Sequence, residues 1–263
     1  MFVERKIPND YLIVNDFLSK QRDYFRTFWI PTNSRWSFRL NTMSIISSYN
    51  INHDSWQSFV ADGNETYIKK YANQLFDISA IKYVIIPLED KANDDNFFAQ
   101  GKRKDFINQV NKLTYLEKIN IGTKEIIIYE NKDYRPHIYL TEKKETIYKN
   151  ILYTKTDYKY VSSAQYKVNL TNINSPIYLN FSEAYHPSWK IRVGEFNWFK
   201  AIIDKNYFLP DKNHFQNDAK LNSFYIDPAA VCTNSSSCNI NLTLYFVPQS
   251  YVYLGGIISL TTF

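Results

Sequence analysis

Residues 240–246 read INLTLYF, and Ile240, Leu242, Leu244 and Phe246 recur at every second position. Successive side chains of an extended chain point to opposite faces, so this period of two predicts a strand with one face turned into a core. The same pattern holds for Tyr166, Val168 and Leu170, and again for Ile177, Leu179 and Phe181. Each run is bounded by Asn, Pro or Ser clusters of the kind that turn a chain. From about Tyr148 onward no helical period competes with it. Short strands separated by turn signals predict an antiparallel β-sandwich, jelly-roll-like, over residues 146–250.

Toward the N-terminus the period lengthens. Pro8-Asn9-Asp10 opens a helix whose apolar face carries Tyr11, Val14, Phe17 and Leu18. Phe25 to Pro31 (FRTFWIP) reads as a short aromatic strand stopped by proline. A second helix is expected over Asn64–Ile78, with Tyr67, Ile68, Tyr71 and Leu75 as its stripe. Lys82 to Pro87 (KYVIIP) and Glu125 to Tyr129 (EIIIY) are continuous apolar runs, the signature of strands covered on both faces. Between them Arg103–Leu113 forms a third helix, burying Phe106, Ile107, Val110 and Leu113. Helices alternating with buried strands predict a small α/β layer over residues 1–145. The fold class is therefore α+β, with the boundary in the charged stretch Thr141–Asn150 (TEKKETIYKN). There is no internal repeat.

The opening strand is bracketed by two cysteines before it and an apolar end after it. Cys232 and Cys238 enclose TNSSS. That spacing suits a local disulfide closing a hairpin, with Cα atoms at most about 7 Å apart, formed in an oxidising compartment. Two reduced, unrelated thiols are the alternative. Tyr251–Phe263 (YVYLGGIISLTTF) is uncharged and mostly apolar. A spanning helix needs about 20 such residues, so the stretch is a last buried strand or the start of a truncated transmembrane helix. Charge favours the helix. No Lys or Arg follows Lys220, and Asp227 is the only charged side chain after it. Flanks poor in cations belong on the extracytoplasmic side of a span.

Composition removes several function classes. Hydrophobic residues at 44% and charged residues at 22% exclude a disordered chain. Only six glycines are present, and none sits in G-x-G-x-x-G or a P-loop. No nucleotide or other cofactor is expected. Aromatic residues reach 17%, in step with abundant Asn, Lys and Ile, as in proteins of AT-rich genomes. The net charge of +5 is spread out. The basic runs are short, the longest being Lys102-Arg103-Lys104 next to Asp105, with Lys143-Lys144 lying between Glu142 and Glu145, so no nucleic-acid partner is expected. There is no N-terminal secretory pattern, since Glu4, Arg5 and Lys6 precede any apolar run. Asn-x-Ser/Thr sequences at Asn64, Asn169, Asn180, Asn234 and Asn241 match what chance gives in so Asn-rich a chain.

Catalytic constellations are lacking. His53, His137, His186 and His214 are scattered, no G-x-S-x-G elbow occurs, and neither cysteine has the setting of a nucleophile. Glu89, Asp90, Asp94 and Asp95 form the densest acidic cluster, which reads as a solvated loop; no metal is expected. One segment stands out, Asn180–Val193, NFSEAYHPSWKIRV. It leaves a strand, turns at His186-Pro187-Ser188 and re-enters a strand at Trp189. Tyr185 and Trp189 beside Glu183 and Arg192 are the residue types of a carbohydrate-binding surface, rings stacking on sugar faces while polar groups hold hydroxyls. The competing reading is a Tyr-Pro-Trp corner plugging the open end of the sandwich.

This segment, with its Glu-x-Tyr-x-Pro-x-Trp pattern, resembles the end of the extracytoplasmic portion of YfhO-like polytopic membrane proteins, relatives of the GT-C glycosyltransferases. Further segments follow in the same order: Phe25-Arg26 to Trp29 and Pro31, Ile81 to Ile85, Ile128 to Asn131 with Arg135-Pro136, and Tyr245 with Pro248, Gly255 and Ser259. Ser188 stands where the family often has glycine, which argues against positive φ at the turn. The resemblance implies a non-catalytic extracytoplasmic domain on the outer face of the cell membrane, joined to the bilayer by a C-terminal helix. It also implies a glycan or polyprenyl-linked sugar acceptor as partner. It carries over no catalytic residue. A purely structural domain and a soluble carbohydrate-active hydrolase are the alternatives.

Overall fold

The computed structural model describes residues 5–38, 40, 43–48, 67–90, 98, 102–232 and 238–261. The chain divides into two units, Met1–His137 with Ile147–Asn150, and Ile138–Thr146 with Ile151–Phe263. The fold is mixed α/β with three sheets. The chain passes from one unit to the other at His137, ahead of the charged stretch, because Ile138–Thr141 already pairs with a sandwich strand.

In the first unit a five-stranded sheet has the order β2-β1-β3-β5-β4. Its strands are β1 (Phe25–Trp29), β2 (Met43–Ser47), β3 (Ile81–Ile86), β4 (Glu117–Ile119) and β5 (Ile127–Glu130). β1 runs parallel to β2 and β3, whereas β5 is antiparallel to both β3 and β4. All five residues of β1 are buried, as a central strand covered on two faces requires. Helix α1 (Asn9–Ser19) lays Tyr11, Val14 and Leu18 on the face formed by Phe25, Trp29, Tyr83, Ile85 and Ile128.

Asp10, in the first turn of α1, fixes the helix to the chain entering β5. Its carboxylate accepts backbone N–H groups from Lys124 (3.1 Å), Glu125 (2.7 Å) and Ile126 (2.9 Å). Burial by itself would raise this carboxyl's pKa, but the three N–H donors outweigh it and hold the pKa below the usual carboxylate value. Helix α2 is shorter than its sequence stripe, Ala72–Ile78. Tyr67 is buried ahead of it and Ile68 is exposed, while Asn64 lies outside the described residues. Helix α3 (Arg103–Val110) buries only Val110; Phe106, Ile107 and Leu113 stay half-buried.

The second unit is a sandwich of two sheets. One has the order β12-β13-β10-β6-β7, the other β11-β14-β9-β8. The first contains β6 (Ile138–Thr141), β7 (Tyr153–Lys155), β10 (Ile177–Ala184), β12 (His214–Gln216) and β13 (Leu221–Ile226). The second contains β8 (Asp157–Ser162), β9 (Gln165–Ile173), β11 (Trp189–Val193) and β14 (Cys238–Phe246). Every pairing among them is antiparallel. The alternating residues meet as expected. Tyr166, Val168 and Leu170 pack with Leu179, Phe181, Ile240, Leu242 and Leu244 in one core. Lys167, Asn169, Asn239 and Asn241 point away and are exposed.

The cysteines are bonded, Cys232 to Cys238, with Cα atoms 5.9 Å apart. Two short helices, α4 (Lys200–Ile203) and α5 (Pro228–Val231), lie in connections of the sandwich, and after β14 the chain forms helix α6, Pro248–Thr261. The apolar end is thus a helix and not a last strand. Among the described residues no helix is long and apolar enough to cross a membrane.

Candidate functional site

Residues 180–193 carry the chain from one sheet of the sandwich to the other, since β10 and β11 belong to different sheets. Phe181 and Trp189 face each other across this corner, ring centroids 4.9 Å apart. Tyr166 lies 5.1 Å from Phe181, and Phe246 lies 5.3 Å from Trp189. Trp189 is 6% exposed, a core side chain with its faces already occupied. Tyr185 is half-buried, its ring 4.9 Å from the His214 imidazole. The two rings named by the sequence therefore do not form a shared stacking platform: Trp189 belongs to the interior.

Backbone and side-chain bonds close the turn. The Trp189 N–H donates to the His186 carbonyl at 3.0 Å and the Val247 N–H to the Ser188 carbonyl at 3.1 Å. The Ser188 N–H donates to His186 Nδ1 at 3.1 Å. No residue from His186 to Ser188 has positive φ, so serine fits where the resembling family often has glycine.

Asn222 is the residue that sequence reasoning missed. It is fully buried on β13, where it occupies the core-facing alternation of Phe224 and Ile226. The pairing of β10 with β13 shifts register between Phe181 and Ala184, which frees backbone groups. Asn222 Nδ2 donates to the carbonyls of Glu183 (2.8 Å) and Ala184 (3.0 Å). Its Oδ1 accepts the His186 N–H at 3.2 Å and lies 3.0 Å from His214 Nε2. One amide thus satisfies the backbone of the bulge and positions the imidazole against Tyr185.

Arg192 does not join Tyr185. Glu183 is half-buried at the bulge. Arg192 turns the other way: Nη1 donates to the Tyr207 carbonyl at 2.9 Å and Nε to the Glu195 carbonyl at 3.3 Å. Its guanidinium stands 4.5 Å over the Tyr207 ring. Its hydrogen bonds and its planar face are spent on fixing the loop after β11.

Residues of the resembling N-terminal segments gather elsewhere, in a buried cluster at the start of β1 and β3. Arg26 donates through Nη1 to the Ser79 carbonyl (2.9 Å) and through Nε to Ser44 Oγ (3.0 Å). Asn131 Nδ2 donates to Asp77 Oδ1 (2.8 Å) and the Ile81 carbonyl (3.1 Å). The Arg135 N–H donates to the Asp77 carbonyl at 2.9 Å. His137, its ring 3.7 Å from that of Tyr24, is held neutral, pushed well below 6.5 by burial and by Arg26. Ligands of open α/β sheets bind outside the carboxyl ends of parallel strands, and this cluster sits at the opposite ends. It ties strand starts together.

Of the acidic loop, Asp90 is buried, Glu89 is exposed, and Asp94 and Asp95 lie outside the described residues. Asn180 is buried, bonded through Nδ2 to Thr141 Oγ1 (3.0 Å) and through Oδ1 to Ser223 Oγ (2.9 Å). Its Asn-x-Ser pattern is used inside the fold. Asn169 and Asn241 are exposed cross-strand partners; Asn64 and Asn234 lie outside the described residues.

The most exposed apolar element is α6. Tyr251 (57%), Val252 (64%), Ile258 (53%) and Leu260 (81%) all face solvent. Only its first turn is buried, where Ser250 Oγ and Tyr245 Oη meet at 2.8 Å. No family model, curated protein or solved structure matches the chain.

Proposed function

We propose that the chain is a non-catalytic extracytoplasmic module held at a membrane through α6, part of a glycosyltransferase-like membrane protein of the kind its sequence resembles. The observation that carries this reading is α6 itself. It has no charged residue and exposes apolar side chains around its whole circumference. A helix that docks on a protein partner keeps one apolar stripe and a polar back, whereas an all-round apolar helix suits hydrocarbon. The Cys232–Cys238 disulfide supports the oxidising, extracytoplasmic side. Burial of Trp189 favours the structural role of the corner over glycan stacking, leaving Tyr185 as the ring through which an acceptor would be contacted.

Flotation of the chain with phospholipid vesicles tests the anchoring. The wild-type chain rises with the vesicles, and Ile257→Lys with Ile258→Lys stays below, since each cation near a helix centre costs about 3 kcal/mol in a bilayer. Wild-type protein that remains in the lower fraction overturns the proposal.

A further inference from the structure

Beside α6 the loop after β11 brings a second group of apolar side chains to the surface. It reads FNWFKAII from Phe196 to Ile203 and ends in the short helix α4 (Lys200–Ile203). Phe196 is the root of this loop, its ring 4.4 Å from Tyr245, within a small core of Ala201, Tyr207 and Tyr245. Asn197 Oδ1 accepts the N–H groups of Phe199 (2.9 Å) and Lys200 (3.1 Å), which fixes how the helix leaves the loop. Phe199 and Ile203 are thereby turned outward, 47% and 63% exposed. Trp198 stands edge-on to Tyr253 of α6, centroids 5.7 Å apart. The loop's charged residues, Glu195, Lys200, Asp204 and Lys205, are all exposed and balance one another.

We infer that Trp198, Phe199 and Ile203 form an interfacial platform that sits in the headgroup layer of the bilayer receiving α6. The inference rests on the membrane reading above and adds the surface that sets how deep the module rides. Two features select a phospholipid surface as the occupant. Trp198 and Tyr253 combine an apolar ring with a polar edge, the chemistry enriched where hydrocarbon meets water. The platform adjoins an apolar helix that runs about 12 Å beyond Tyr253, so both enter the same phase.

The test uses the full chain with vesicles of phosphatidylcholine and phosphatidylglycerol, some carrying bromine on the acyl carbons nearest the headgroup. The platform predicts that these shallow bromines quench tryptophan fluorescence and that Trp198→Phe removes most of the quenching. Phe199→Ser with Ile203→Ser lowers the vesicle partition coefficient about tenfold, since both side chains lose interfacial burial. Both variants keep the wild-type thermal transition, because neither exposed side chain supports the core and the tryptophan change is conservative. Flotation with unquenched Trp198 and an unchanged partition coefficient overturns the platform while leaving the α6 anchor standing. Failure of the wild-type chain to float overturns both, and a lipid-independent dimer in sedimentation would then assign this surface to a second copy.

Discussion

The two units protect their polar groups in different places. Among the described residues the sandwich unit buries mainly neutral polar side chains, Asn180, Asn217, Asn222 and Ser223, with Glu145 its one buried charged residue, and Asn222 serves the backbone where two strands lose register. The α/β unit instead carries Arg26, Asp77, Arg135 and His137 inside, each at most 7% exposed, around Asn131. The difference follows from topology. Antiparallel strands joined by short turns satisfy one another's backbone along their length. Parallel strands are joined by long crossovers, and their starting ends leave carbonyls such as those of Ser79 and Ile81 that Arg26 and Asn131 satisfy. A core of the first kind fails by losing volume, and one of the second kind by losing a donor.

Trp189→Ala is the largest test of this contrast. It empties the centre of the aromatic corner and lowers stability by about 3–5 kcal/mol. Hydrogen exchange read by mass spectrometry should locate the loss of protection in β9, β10, β11 and β14. Equal loss in β1 and β3 would show that the units unfold as one and would break the comparison.

Asn131→Ala comes next, at about 2–3 kcal/mol, because the Asp77 carboxylate and the Ile81 carbonyl each lose a buried donor while little volume is removed. Chemical denaturation measures the cost. Asn131→Asp, nearly the same shape, should do more damage by placing a second carboxylate against Asp77. An aspartate variant as stable as wild type would show that the site is governed by volume after all.

The smallest effect is a pH dependence. Burial lowers the His214 pKa to about 4, against the opposing hydrogen bond with Asn222. The unfolded chain, with an ordinary imidazole near 6.5, binds the proton first, so stability falls as pH drops from 6.5 toward 4. His214→Gln should flatten that limb for the sandwich while the His137 contribution in the other unit remains. Unfolding midpoints at pH 7 and pH 5 for the two proteins decide it; an equal acid drop in both would remove His214 from the account.

Much of this architecture was legible in the chain. Period-two runs located β9, β10 and β14 and named their inward residues, and continuous apolar runs located β3 and β5, because burial of a whole face leaves a regular trace. β13 escaped for a local reason. LNSFYI has Asn222 in the core-facing slot that an apolar residue would fill, so its alternation is broken. β7, β8 and β12 bury little and leave no trace. Helix α2 was overextended because Tyr67 and Ile68 continue its spacing while only Tyr67 finds a buried place.

The candidate site divides along the same line. Residue types alone made Tyr185, Trp189, Glu183 and Arg192 look like one surface, and they determined that a corner with a proline turn lies between two strands. Only the tertiary structure decided that Trp189 points inward, that Arg192 holds the Tyr207 loop and that Asn222 organises the bulge. Side-chain chemistry and periodicity are properties of the chain and can be read from it. Whether a ring is a wall or a plug depends on what packs around it, and that is set by contacts distant in sequence, such as those of Trp189 with Tyr166 and Phe246 on other strands of its own sheet.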